Sequence, residues 1–238
     1  MRLDSYVFEK GFAQSRNKAS ELIKEGSVWV NGKVERKNAI EISQSDTVEV
    51  SKISQYVSRA GLKLRGFLND IMLDAKGASV LDIGSSTGGF VQVWLEEEVQ
   101  SVTAVDVGSA QLHSSLRSHP SILLHENMDI RAFPQEKKYD IVSCDVSFIG
   151  IIFLLDTITA LAKEKIIILF KPQFEVGKEV KRSSKGVVKD GAAIMRAHQQ
   201  FETQAVLQGW QLIEKKESLV KGKEGNVEAF YYFEQAKR

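Results

Sequence analysis

Between Ser79 and Phe170, short apolar runs alternate with segments of helical spacing, which leaves few folds open to the chain. Strands are expected at Ser79–Ile83, Val102–Asp106, Ile122–His125, Ile141–Cys144 and Ile166–Phe170, and helices at Gly89–Glu97, Gln111–Arg117 and Phe148–Ala162. Such alternation builds βαβ units, whose sheet is mostly parallel and covered on both faces. Before the first strand, Leu64, Phe67, Leu68 and Ile71 recur at i, i+3, i+4 and i+7, so an amphipathic helix begins near Arg59. Pro172 stops the fifth strand. A basic, polar loop then runs to about Lys189, a helix continues through Leu207, and strand-like runs follow at Trp210–Lys215 and Val227–Phe233.

The opening residues follow a different pattern. Ser15 is a good helix N-cap, Ala19, Leu22 and Ile23 form an apolar stripe, and Gly26 supplies a helix stop. Asn31-Gly32 between Val28–Val30 and Lys33-Val34 signals a hairpin, since both residues tolerate positive φ. A further strand is expected at Thr47–Val50. The expected division is a small α+β domain over 1–50, a polar linker over 51–58 and an α/β domain over 59–238.

Composition narrows the setting. The single cysteine, Cys144, forms no intrachain disulfide, and no Cys/His spacing suggests a metal site, so a cytoplasmic location is expected. Asp4 and Glu9 interrupt any leader-like start, and the longest apolar runs, Ile149–Leu155 and Ile166–Phe170, are too short for a bilayer. The net charge of +1 decides nothing about nucleic acid.

Asp82-Ile83-Gly84-Ser85-Ser86-Thr87-Gly88-Gly89-Phe90 reads as a strand end, a tight glycine turn and a helix start. A dinucleotide fingerprint needs glycine where Ser86 stands, and no lysine follows to make a P-loop, which disfavours a phosphate cradle. Three carboxylates suggest another nucleoside instead. Asp82 can face a cationic end, Asp106 can accept both ribose hydroxyls, and Asp129 can take an adenine amino group. Together they point to the sulfonium nucleoside S-adenosylmethionine, with a generic nucleotide-binding or inert βα turn as the alternative. If the fourth strand lies beside the first, Asp145 lands next to the glycine turn and Lys171 next to Asp145. Asp145-Val146-Ser147-Phe148 is not the Asn-Pro-Pro-Tyr type of tetrapeptide that serves base-amino methylation, and Cys144 is expected in the core.

With these blocks, Ser58–Leu64, Asp145–Ile149, Lys171–Lys178 and Gly225–Glu228 resemble the signatures of the TlyA family, also called hemolysin A, within the FtsJ-like ribose 2′-O-methyltransferases. The resemblance implies a Rossmann-like class I methyltransferase fold, a mostly parallel seven-stranded sheet ending in an antiparallel hairpin. It also implies a catalytic Lys-Asp-Lys-Glu set at Lys63, Asp145, Lys171 and Glu228. Cofactor contacts are implied at Asp82, Gly84, Ser85, Ser86, Thr87, Gly88, Gly89, Phe90, Asp106 and Asp129. A ribose hydroxyl is a poor nucleophile, and a lysine beside a sulfonium and a second lysine is a usable base. On that reading Lys171 takes the proton, Asp145 steers Lys171, and Lys63 and Glu228 position the ribose.

The first 32 residues are similar to the RNA-binding domain of ribosomal protein S4, through Ser15-Arg16, Ala19, Leu22-Ile23, Gly26, Val28 and Val30-Asn31-Gly32. Arg2, Lys10, Arg16, Lys18, Lys24, Lys33, Arg36 and Lys37, with Arg59, then become candidate RNA contacts, and Lys178, Lys181, Arg182, Lys185 and Lys189 a second set. His113, His119, His125 and His198 are expected to be structural or exposed. The family implies methylation of cytidine ribose in ribosomal RNA. The chain resembles its shorter, large-subunit type, with the ribosomal subunit as partner and no obligate protein partner. The rival readings are a non-catalytic ribosome-assembly factor and a membrane-lytic protein.

Overall fold

The computed structural model describes residues 1–13, 15–43, 45–50 and 56–235, so residues 51–55 of the expected linker lie outside the described residues. The chain divides into two compact units, Met1–Val57 and Ser58–Arg238.

In the smaller unit, helix α1 (Leu3–Glu9) and helix α2 (Arg16–Glu25) pack on a three-stranded antiparallel sheet. Its strands β1 (Val28–Val30), β2 (Lys33–Glu35) and β3 (Val48–Val50) lie in the order β2-β1-β3. Local chemistry sets these boundaries. The Ser15 hydroxyl accepts from the Lys18 N–H at 3.1 Å, and Gly26 ends α2 at φ +82°. Asn31 and Gly32 both take positive φ, as a tight hairpin between two twisted strands requires. Leu3, Val7, Ala19, Leu22, Ile23 and Val28 form the core.

In the larger unit, helix α3 (Arg59–Ile71) precedes a seven-stranded sheet. The strands are β4 (Ser79–Ile83), β5 (Ser101–Val105), β6 (Ile122–His125), β7 (Tyr139–Cys144), β8 (Ala162–Phe170), β9 (Trp210–Glu217) and β10 (Ala229–Gln235). Their order is β6-β5-β4-β7-β8-β10-β9, parallel throughout except for β10, which runs against both neighbours. This is the Rossmann-like class I methyltransferase architecture. Helices α4 (Gly89–Glu96), α5 (Ser114–Arg117), α6 (Leu155–Leu161), α7 (Pro172–Glu175) and α8 (Gly191–Leu207) complete it.

The alternation of side chains along β10 serves two layers. Phe230 stacks on Phe67 of α3 at 4.7 Å and lies 6.0 Å from Phe90 of α4, while Tyr231 and Phe233 meet Phe201 of α8 on the other face. Chain reversal fixes the order that matters most: the connection from β6 returns across the sheet to place β7 beside β4. The carboxyl ends of those two strands therefore flank a topological switch point, where open α/β sheets bind ligands.

Three expected elements start three or more residues from where the sequence places them. The helix expected over 111–117 shrinks to Ser114–Arg117, because Glu126 captures the N–H groups of Gln111 and Leu112 as a loop. The helix expected over 148–162 begins only at Ile151 as a 3-10 turn and becomes α at Leu155. Phe148 sits at φ +68°, and the Glu175 carboxylate accepts the Ile151 N–H at 2.8 Å. Strand β8 starts at Ala162 rather than Ile166, since Lys163 pairs with Asp140 and Lys165 lies opposite Glu234.

Phe201 is fully buried against Phe170, Tyr231 and Phe233. Replacing Phe201 with Ala is predicted to destabilise the larger unit by about 3–5 kcal/mol, read as a fall in its urea midpoint. A midpoint equal to wild type would contradict this packing.

Candidate active site

The glycine turn works by close approach of backbone. Gly84 adopts φ +80°, and a Cβ there would meet the Asp145 carbonyl at 2.7 Å. The Asp145 N–H in turn donates to the Ile83 carbonyl at 2.9 Å. A side chain at position 84 would thus drive β4 and β7 apart. Between the turn and the ends of β5 and β7 lies a cavity of about 520 Å³, with Gly84, Ser86, Asp106, Met128, Asp129 and Asp145 among its walls.

Asp106 follows β5 and accepts the Ser86 N–H at 2.8 Å on one oxygen and the Gly108 N–H at 2.7 Å on the other. Each oxygen keeps a lone pair, so the carboxylate can still take two vicinal hydroxyls. Asp129 also lines the cavity, but its carboxylate is held by Arg131, which keeps it at about 2. Three carboxylates and a glycine cradle fit a nucleoside with a cationic end and oppose a polyanion.

Asp82 stands elsewhere. It is buried behind the turn, outside the cavity lining, and its Oδ1 accepts from the Ser143 hydroxyl at 2.6 Å, which itself accepts from the Trp94 indole N–H at 2.9 Å. Its Oδ2 has no hydrogen-bond partner. Burial pushes this carboxyl up to about 7; the Ser143 hydroxyl pulls it down, and the nearby Asp145 and Asp106 carboxylates push it further up. The remaining turn residues divide between ligand and scaffold. Ser86 lines the cavity; the Thr87 carbonyl accepts the His113 N–H; Ser85 is buried; Gly88 caps α4 at φ +94°. Gly89 lies where a Cβ would strike the Gly61 backbone at 2.7 Å, and Phe90 is core. Cys144 is fully buried, and burial pushes its thiol up, away from nucleophile chemistry.

Beside the cavity, Lys171 at the end of β8 forms an ion pair with Asp145 at 2.7 Å, out of hydrogen-bond alignment, and donates to the Ser147 hydroxyl at 2.9 Å. A second pair joins Lys63 of α3 to Glu228, just before β10, at 2.6 Å, and both residues are buried. Short α7 links them: its Gln173 donates to Glu228 at 3.2 Å, two residues after Lys171. Sequence reasoning assigned no role to Gln173, Ser147 or Glu175. Gln173 and Glu175 lie inside the Lys171–Lys178 block, but their partners are remote in the chain and no spacing reveals them.

The candidate RNA cations divide into exposed and engaged groups. Lys10, Lys24, Lys33 and Lys37 are exposed, Lys18 pairs with Glu21, and Arg2 and Arg16 both grip the buried Asp4 carboxylate while half of each side chain stays open. Arg36 donates to the Lys24 carbonyl and so covers the end of α2. Arg59 donates to the Lys221 carbonyl. In the second set, Lys178, Lys181, Lys185 and Lys189 are exposed, whereas Arg182 staples its loop by donating to the carbonyls of Gln173, Gly177 and Val180. Of the four histidines, His198 bonds Tyr231, His113 caps α5, His125 packs on Phe133, and His119 accepts the Ser121 N–H.

A class I fold with acidic residues and a glycine cradle at its switch point defines a methyltransferase. Residues 56–235 match the FtsJ-like methyltransferase family and residues 1–48 match the S4 domain family. A Campylobacter jejuni protein named 23S rRNA (cytidine-2′-O)-methyltransferase TlyA is 48% identical, covering 98% of this chain and 99% of the relative. The Mycobacterium tuberculosis protein named 16S/23S rRNA (cytidine-2′-O)-methyltransferase TlyA is 35% identical over 97% of this chain and 88% of the relative. A solved Streptococcus thermophilus structure, described as a hemolysin, superposes with a TM-score of 0.75 at 29% identity, covering 99% of this chain and 88% of that one. The chain belongs to the TlyA family of FtsJ-like methyltransferases.

The Asp82 environment carries a pH prediction. Its folded-state value lies above the ordinary 3.8, so the folded protein keeps a proton that the unfolded chain releases. That contribution to stability is present below about pH 4 and is lost as pH rises toward 7. Asp82→Asn is predicted to flatten this fall, so the variant gains on wild type between pH 4 and 7 in denaturant titrations. Parallel curves would contradict it.

Proposed function

We propose that the chain methylates the 2′-hydroxyl of a cytidine in ribosomal RNA, using S-adenosylmethionine, with large-subunit RNA as its substrate. The observation that carries this reading is the Lys171–Asp145 pair set against the cavity at the switch point, with the buried Lys63–Glu228 pair tied to it through Gln173. The 48% identity to a relative named for 23S rRNA supports the large subunit. Among the described residues no helix is long and apolar enough to cross a membrane, and nothing in the site favours a lytic reading.

The cofactor supplies a methyl group activated by a positively charged sulfur. Gly84 and Ser86 would cradle it, Asp106 would accept the ribose hydroxyls, and Asp129 would stand at the base end. Asp145, which holds Lys171, would bring negative charge to the cationic end. Lys171 Nζ would accept the proton that the target 2′-hydroxyl gives up. Ser147 limits the rotation of Nζ, and Lys63, held by Glu228, donates to the ribose and keeps it in line. The S4 unit supplies phosphate contacts through Arg2, Lys10, Arg16, Lys18, Lys24, Lys33, Arg36 and Lys37. Arg59 and the exposed lysines of 178–189 add to these from the larger unit.

Lys171→Ala is predicted to lower turnover on purified ribosomal subunits by roughly 100- to 1000-fold or more while calorimetric binding of S-adenosylhomocysteine stays unchanged. Wild-type methylation by this variant would refute the role of Lys171.

A further inference from the structure

Gln173 has a chemistry that the four charged residues do not account for. Its side-chain nitrogen lies 3.2 Å from Glu228 Oε1, while Glu228 Oε2 holds Lys63 at 2.6 Å. A carboxylate only accepts, so the amide must turn its N–H toward Glu228, and this fixes the amide's orientation. The Gln173 Oε1 atom is then left buried with no partner. Gly222 lies close to the same oxygen, since a Cβ there would meet Oε1 at 2.6 Å. Both oxygens of Glu228 are thus engaged, Oε1 by Gln173 and Oε2 by Lys63. The main chain of Gln173 is fixed as well: Arg182 donates to its carbonyl at 3.0 Å, and Pro172 separates it from Lys171.

We propose that Gln173 is a positioning residue for the methyl transfer, holding Glu228, and through it Lys63, in register with the Lys171–Asp145 pair. The role rests on the reading of the site given above. Lys63 meets this contact across Glu228 and Arg182 meets the Gln173 carbonyl, while Lys171 pairs with Asp145 and Glu175 of the same helix accepts the Ile151 N–H. An amide suits the position because it stays a donor at every pH. A carboxylate there would face Glu228 with like charge, and a protonated carboxyl would donate as the amide does.

The test uses the full-length protein with Gln173→Met and Gln173→Glu, assayed for kcat and KM on ribosomal RNA and melted across pH. Both variants are expected to lose roughly 10- to 100-fold in kcat at mildly alkaline pH with KM for RNA little changed, as removal of a supporting contact does. Gln173→Glu alone should recover as pH falls, when its carboxyl gains the proton that Glu228 can accept. Its melting temperature should also fall relative to wild type as pH rises, while Gln173→Met runs parallel to wild type. Wild-type kcat in Gln173→Met, or a Gln173→Glu variant that matches wild type in the pH dependence of both rate and melting, would overturn the proposal. If wild type itself transferred no methyl group, the enzymatic reading would fail, and the Gln173–Glu228 contact would be judged on the melting curves alone.

Discussion

Everything at the site depends on how closely two parallel strands approach at their carboxyl ends. Gly84 lets the turn after β4 lie against the Asp145 backbone, and the Asp145 N–H closes the contact on the Ile83 carbonyl. This leaves the Asp145 side chain facing the cavity and the Lys171 ammonium beside it. The glycine serves tight strand pairing as much as ligand approach. The serine at position 86, by contrast, turns its N–H to Asp106 and helps set the carboxylate that a ribose would meet.

Charge is organised in the same spirit. Two lysines and two carboxylates could collapse into one cluster, but the fold keeps them as two pairs, one beside the cavity and one buried against α3. Buried pairs are weak as stabilisers, because desolvation offsets much of their attraction. Their value here lies in orientation. Each carboxylate fixes an ammonium, and α7, only four residues long, sets one bond on each side: Gln173 to Glu228 and Glu175 to the Ile151 N–H. The strained Phe148 at φ +68° lies in the loop that Glu175 pins.

The sequence revealed most where chemistry is local. Ser15, Gly26 and Asn31-Gly32 place caps and a hairpin within a few residues of themselves, and all four do so in the structure. The five parallel strands were legible because each centres on a short, mainly apolar run. The limits arose where a polar residue finds its partner far along the chain. Asp82 and Asp106 read alike as strand-end carboxylates, yet one is buried on Ser143 and the other lines the cavity. Arg182 and Arg36 stay exposed, yet both also donate to backbone carbonyls, which charge patterning does not reveal. Glu126, a distant acceptor, unwinds the start of a helix that spacing alone extends.

The central claim is spatial, so a crystal structure with S-adenosylhomocysteine bound tests it most directly. The account predicts the sulfur beside Gly84 and Asp145, with the ribose on Asp106 and the Lys171 amine facing the side from which the methyl would leave. A ligand seated in another cleft, with Asp145 and Lys171 turned away from its sulfur, would contradict it.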